Sequence, residues 1–305
     1  MIPPVRRLTA VCLLGAVLTA CGTAEAPRAA RPGPAGPPTA QSPTAQSPTA
    51  LSPSARPPSP EPSTAVSRPP TLAPGPAGQA PVFAHAPRTR DKAVALTFDA
   101  DMTAGQGARA AAGERFDNPE LITALRALKV PATVFMTGRW AEEYPLQARA
   151  IGRDPLFEVA NHSYSHYAFT DDCYGLPTVA RSAMRADVER AYAAFRAAGV
   201  PDAMPYFRFP GGCYDGGALR AVSGTGVTAV QWDVVSGDAF ATDADAVARQ
   251  VLEGVKPGSV VVMHCTRSAA PVTERAVRAI VPELRRRGYR FVKVSELIGA
   301  ADGRR

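Results

Sequence analysis

No apolar run in these 305 residues is long enough to span a membrane comfortably. The longest, LTAVCLLGAVLTAC at residues 8–21, falls short, which excludes an ordinary transmembrane helix and leaves an export signal. The first 90 residues are nearly without acids, holding two against eight arginines. They also lack anything to bury: 20 of the 31 prolines fall there, so no packed domain is expected before residue 91. From residue 91 onward 26 basic residues face 25 acidic ones, so the net charge of +7 belongs to the N-terminal part. A near-neutral folded region excludes a nucleic-acid-binding surface. The basic tail suits acidic lipid headgroups or wall polymers. Histidine is scarce, with four in the chain, and where those four fall becomes informative.

Arg6 and Arg7 precede the apolar segment, and residues 1–20 read as a signal peptide. The segment ends in Leu18-Thr19-Ala20-Cys21, which resembles a bacterial lipobox and implies lipidation of Cys21. The competing reading is cleavage by ordinary signal peptidase, with Cys21 incidental. Cys12 leaves with the signal in either case. Residues 21–90 read as a Pro/Ala/Ser/Thr-rich linker containing a repeated PTAQS unit. Proline keeps such a chain semi-extended, so about 65 residues reach at most roughly 200 Å. That length suits a domain anchored to the outer face of the cytoplasmic membrane and working in a surrounding wall; a passive stalk fits the composition equally.

From residue 91 to 305 short apolar runs alternate with helical patterns. Strands are expected at 93–98, 132–136, 157–161, 206–210, 228–234, 259–263 and 289–294. Between them NPELITALRALK places Leu121, Leu125 and Leu128 at helical spacing, with Pro119 suited to a first turn. ARSAMRADVERAYAAFRAAG and PVTERAVRAIVPELRRRG each end at a glycine suited to a helix C-terminus. Alternating strands and helices predict an α/β domain with a parallel sheet, open or closed into a barrel. Such folds collect chemistry at the carboxyl ends of their strands.

The candidate residues fall at those ends. Asp99 and Asp101 follow the first strand, and His162 and His166 follow the third. Four residues apart, the two imidazoles would face one ion from a single helical turn. Arg208 lies near the end of the fourth strand and Gly211 just past it, Trp232 near the end of the fifth and Asp238 past it, and His264 ends the sixth. Three of the four histidines therefore stand at strand ends; the fourth, His85, lies in the expected linker.

In order and spacing these motifs resemble the polysaccharide deacetylases of the NodB-homology type, carbohydrate esterase family 4. HSYSH, RFPGG, the Met263-His264 pair and LRALKVPATVFMTGRW carry the resemblance, over about residues 92–298. It implies a distorted (β/α)7-type barrel and removal of N-acetyl or O-acetyl groups from a polysaccharide by a divalent metal, usually zinc, sometimes cobalt or nickel. It assigns His162 and His166 to the metal, Asp99 to the base that takes a proton from water, and Arg208 to holding Asp99. The Gly211 N–H would stabilise the oxyanion, and His264, kept charged by Asp238, would protonate the leaving amine. Trp232, Tyr214 and Val262 are the implied pocket residues. A cell-wall polysaccharide, most readily peptidoglycan, is the expected substrate, and the protein is expected to be a monomer.

The chain departs from the family pattern where the second of two adjacent acids should stand, at Ala100. Asp101 either replaces it as ligand or caps the following TAGQGA loop. If the strand continues, Asp99 and Asp101 share a face and Ala100 points away. Ala239 and Val262 replace a tryptophan and a leucine of the acetyl pocket, with Phe240 adjacent to the first. A non-catalytic wall-binding lipoprotein with weakened metal ligation is the rival function; base, arginine and acid together favour the enzyme. After export Cys173, Cys213 and Cys265 are free to pair. Cys213 has either of the other two as a partner, which leaves one thiol over.

Overall fold

The computed structural model describes residues 68–303; the signal segment, Cys21 and the PTAQS repeats lie outside them. Nine short strands form one parallel sheet: β1 (Val82–Phe83), β2 (Ala93–Ala100), β3 (Ala132–Met136), β4 (Phe157–Asn161), β5 (Tyr206–Phe207), β6 (Thr228–Val230), β7 (Val234–Val235), β8 (Ser259–His264) and β9 (Arg290–Phe291). Their order is β1-β6-β5-β4-β3-β2-β8-β7, with β9 also pairing with β2. The sheet curls into a half-barrel with helices packed around it.

β2 is buried along its whole length, as a parallel strand covered on both faces must be. Its even-numbered residues Val94, Leu96, Phe98 and Ala100 join the outer core beneath helices Pro119–Ala127 and Thr273–Arg286. Ala93 and Ala95 face the inner core with Phe135, Tyr206, Val230 and Val260. Helix Val294–Ala301 seals the inner core through Val294, Leu297 and Ile298. Side chains cap two of the helices beside the site: Asn118 accepts from Leu121 N–H, and Thr137 from Trp140 N–H. Helix Met184–Ala198 stops at Gly199, whose φ of +80° suits glycine alone.

Four expectations need correction. The expected linker boundary at residue 90 is too late, because the chain packs well before it. β1 pairs with β6 through Val82↔Ala229 and Phe83↔Val230, and Ala80, Phe83 and Ala86 are buried. Farther upstream the Tyr206 hydroxyl donates to Pro70 O (2.8 Å), and Leu72 N–H donates to Thr228 Oγ1 (3.3 Å). His85 bridges Ser259 through its backbone. A two-residue strand among prolines is too short to show a period, which is why the sequence conceals it.

The single strand expected over 228–234 is two. β6 pairs with β5 and β1, whereas β7 pairs with β8. Residues 231–233 therefore carry the chain between the two margins of the curled sheet, and Asp233 fastens the crossing by accepting from Val260 N–H and Ser259 Oγ. The expected strands 206–210 and 289–294 stop at Phe207 and Phe291, giving way to a turn at Pro210–Gly212 and to helix Val294–Ala301.

Candidate active site

Parallel register sets the first pair of functional groups. Asp99 of β2 lies opposite His264 of β8, and register partners in neighbouring strands present side chains to the same face. Alternation along β2 turns Asp99 inward with Ala95 and carries Ala100 into the outer core, where it is fully buried. Asp101 returns to the inner side. Thr266, two residues past His264, donates its hydroxyl to the Asp101 carboxylate and accepts from Asp101 N–H (3.1 Å). The cap of the TAGQGA loop is Gln106, whose Oε1 accepts from Thr103 N–H (2.8 Å). Ala100 therefore leaves no gap on the cleft side.

His162 and His166 do not share a helical turn. They sit on an irregular loop in which Ser163 and His166 take positive φ, +69° and +54°. That is uncommon backbone for residues with a Cβ. Hydrogen bonds hold it: Asn161 Oδ1 accepts from Ser163 N–H (2.8 Å), Ser163 Oγ from His166 N–H (3.0 Å), and the remote Asp187 from Tyr164 N–H (2.9 Å). The imidazole rings end 4.9 Å apart. His162 Nδ1 donates to the Arg208 carbonyl (2.9 Å), which fixes the ring's orientation and turns Nε2 toward Asp99. Burial lowers the His166 pKa to about 4 in spite of Asp101, so the ring is neutral at ordinary pH.

Donor atoms of Asp101, His162 and His166 lie within 4.8 Å of one another. Two imidazoles and one carboxylate, with Nδ1 of His162 already engaged by a carbonyl, fit a divalent transition metal. Among the described residues no cysteine joins that cluster.

Asp99 bridges this trio to the rest of the site. Its Oδ1 accepts from Arg208 Nη1 (2.6 Å), and its Oδ2 lies 3.6 Å from His162 Nε2. Burial pushes its pKa up, but Arg208, His162 and His264 outweigh burial and hold it below the ordinary carboxylate range. Arg208 is completely buried, its Cζ 3.9 Å from the Phe135 ring centroid, with Nε reaching Val230 O (3.3 Å).

His264 is tied to Asp238 twice, through Nδ1 (2.8 Å) and its backbone N–H (2.7 Å). Ser236 Oγ (2.9 Å) and Thr273 Oγ1 (2.6 Å) donate to the same carboxylate. Burial opposes charge on His264, yet Asp238, helped by Asp101 and Asp99, raises its pKa to about 9. His264 is therefore an acid that keeps its proton through neutral pH.

These groups open into one cleft of about 580 Å³, whose walls include Gly211, Trp232, Val262, Ala239 and Phe240. Tyr214 is not among them: its ring stacks on Phe209 outside the cleft, 5.3 Å between centroids. Tyr174 lines the cleft in its stead. Cys173 and Cys213 form the disulfide, whereas Cys265 stays a buried thiol beside Asp117 and Asn118. Sequence reasoning missed Thr266, Ser236, Thr273 and Asp187. Thr266 stands two residues past His264, and Ser236 two before Asp238, a spacing that could have flagged both; Thr273 and Asp187 lie on helices with no local signal.

A polysaccharide deacetylase family model matches residues 86–230. The chain is 28% identical to a chitooligosaccharide deacetylase of Bradyrhizobium sp. (strain ANU 289), over 60% of this chain and 84% of that protein. It is 26% identical to a peptidoglycan-N-acetylglucosamine deacetylase of Bacillus cereus, over 59% of this chain and 81% of the relative. Among solved structures, a family 4 carbohydrate esterase from Streptomyces lividans in complex with acetate is 30% identical, covering 66% of this chain and 91% of that one, with a TM-score of 0.52.

Proposed function

This chain belongs to the polysaccharide deacetylases, carbohydrate esterase family 4, and we propose that it hydrolyses N-acetyl groups of a cell-wall polysaccharide, peptidoglycan, as a metal-dependent enzyme. The observation that carries the reading is convergence: Asp99, His264 and the Asp101, His162, His166 trio all face one cleft. Two relatives support the substrate class, since their names specify N-acetylglucosamine in peptidoglycan and chitooligosaccharides. Zinc suits the ligand set best, with cobalt or nickel as substitutes.

Asp101, His162 and His166 would hold a divalent metal, which would act as a Lewis acid on the acetyl carbonyl and acidify water. Asp99, kept ionised by Arg208, takes the proton as water oxygen bonds to the carbonyl carbon. The Gly211 N–H, on the cleft wall, donates to the developing oxyanion. The C–N bond breaks as His264, its Nδ1 occupied by Asp238, delivers a proton from Nε2 to nitrogen. Acetate and a free amino sugar leave. The apolar Trp232 and Val262 accommodate the acetyl methyl.

The N-terminal signal and Cys21 support export and lipid anchoring at the outer face of the cytoplasmic membrane. The deciding experiment incubates the purified, zinc-loaded protein with peptidoglycan, chitin oligomers and acetylxylan and measures released acetate. Release from peptidoglycan and chitin oligomers is expected. Release from acetylxylan alone would make it an O-acetyl esterase and end this reading.

A further inference from the structure

We propose that Tyr174 is a sugar-stacking platform beside the acetyl site and gives the enzyme its preference for an extended chain over a single sugar. The proposal rests on the deacetylase reading above and adds a specificity residue to it.

Tyr174 is 88% exposed, more than any other large hydrophobic side chain among the described residues. Its hydroxyl makes no hydrogen bond among those residues, and its backbone takes a φ of +52°, rare for a bulky residue. Neither feature helps the fold. The position does face the cleft that holds Asp99, His162 and His264. Phe240, also exposed, lines the same cleft, so the two rings give it an exposed aromatic surface of the kind that marks a contact site.

The backbone that carries the ring is held in one turn. Leu176 N–H donates to Cys173 O (3.0 Å), and Tyr174 and Gly175 both have positive φ, so residues 173–176 form a primed β-turn. Cys173 at its start is crosslinked to Cys213, with Cα atoms 6.0 Å apart. A Cβ on Gly211 would lie 2.5 Å from Cys173 Sγ and 3.3 Å from Tyr174 Cδ2. The disulfide and the tyrosine thus press on the backbone that borders the acetyl site, and glycine is needed there for both space and φ. A ring carried next to that site meets the sugar adjoining the one being deacetylated. The weakly polarised C–H face of a pyranose packs against an aromatic face, and a turn already locked by a disulfide loses little entropy on binding.

The test compares acetate release from N-acetylglucosamine and from a five-sugar chitin oligomer, using full-length zinc-loaded protein. Tyr174→Ala should raise the KM for the oligomer about five- to tenfold, the range expected for one aromatic contact. The kcat and the single-sugar kcat/KM should each move less than twofold, and Tyr174→Phe should restore the oligomer KM. Replacing both Cys173 and Cys213 with Ser should raise the oligomer KM in the same way while zinc content stays complete. An unchanged oligomer KM, or equal losses on both substrates, overturns the proposal. If wild type releases acetate from neither, the functional reading fails separately. Calorimetric binding of the oligomer to wild type and Tyr174→Ala then decides the platform, and equal affinities sink it.

Discussion

The two oxygens of Asp99 do different work, one held by Arg208 and the other turned toward His162. Base and metal donors are thereby separate groups, and substitutions should separate them. Asp99→Asn and His264→Ala should retain the metal and lose about 10²–10⁴-fold in kcat, the usual scale of a proton-transfer residue. Metal analysis beside turnover checks this, and an emptied site in either variant would reassign that residue. Asp101→Ala should weaken metal affinity, with activity recovered as zinc is raised; an unchanged metal dissociation constant would remove Asp101 from the ligand set. The acid has its own signature in pH. Asp238 raises the pKa of His264, so the protonated, competent form persists upward and activity falls as pH rises through that value, about 9 without the metal. A bound cation opposes this by repulsion but does so equally in a variant. Asp238→Asn should therefore shift the alkaline limb of kcat/KM down by about one unit or more. A limb that stays in place would show that another group titrates there.

At the scale of elements, two short features have effects beyond their length. β1 contributes two residues, yet it extends the margin of the sheet beside β6 and buries Phe83 in the inner core. Phe83→Ala should cost about 3–5 kcal/mol and lower Tm by on the order of 10 °C in a thermal melt. A melt indistinguishable from wild type would return residues 80–87 to the linker. The crossing at residues 231–233 is the second feature. It brings Trp232 to the cleft and lets β7 pair beside β8, from which Asp238 reaches His264.

For the whole molecule, the asymmetry of charge and proline along the chain separates placement from chemistry. The N-terminal 90 residues carry the excess of arginine over acid, and the near-neutral remainder carries the cleft. If Cys21 bears a lipid, Cys21→Ser protein should move from the membrane fraction to the soluble exported fraction on cell fractionation. Identical fractionation of both proteins would rule out the anchor.

Much of this was determined by the sequence alone. Apolar runs in a parallel sheet are nearly continuous, so β2, β3, β4 and β8 could be read within two residues. Side-chain alternation turns Asp99 and Ala100 to opposite sides of β2, but the strand ends at Ala100, and Asp101 is held toward the cleft by Thr266 instead. The scarcity of histidine made three strand-end histidines conspicuous. Other features came only from tertiary structure, because they depend on partners remote in the chain. The loop of His162 and His166 takes its shape from Asp187 on a helix, not from helical spacing. Thr273 reaches Asp238 across 35 residues, and Cys213 finds Cys173 rather than Cys265 because Cys265 packs on the far side of its strand. Two-residue strands such as β1 and β7 have no period to detect, since their stability comes from neighbours and not from their own residues. A strand's pattern is local, whereas a site is made of whatever the fold brings to it.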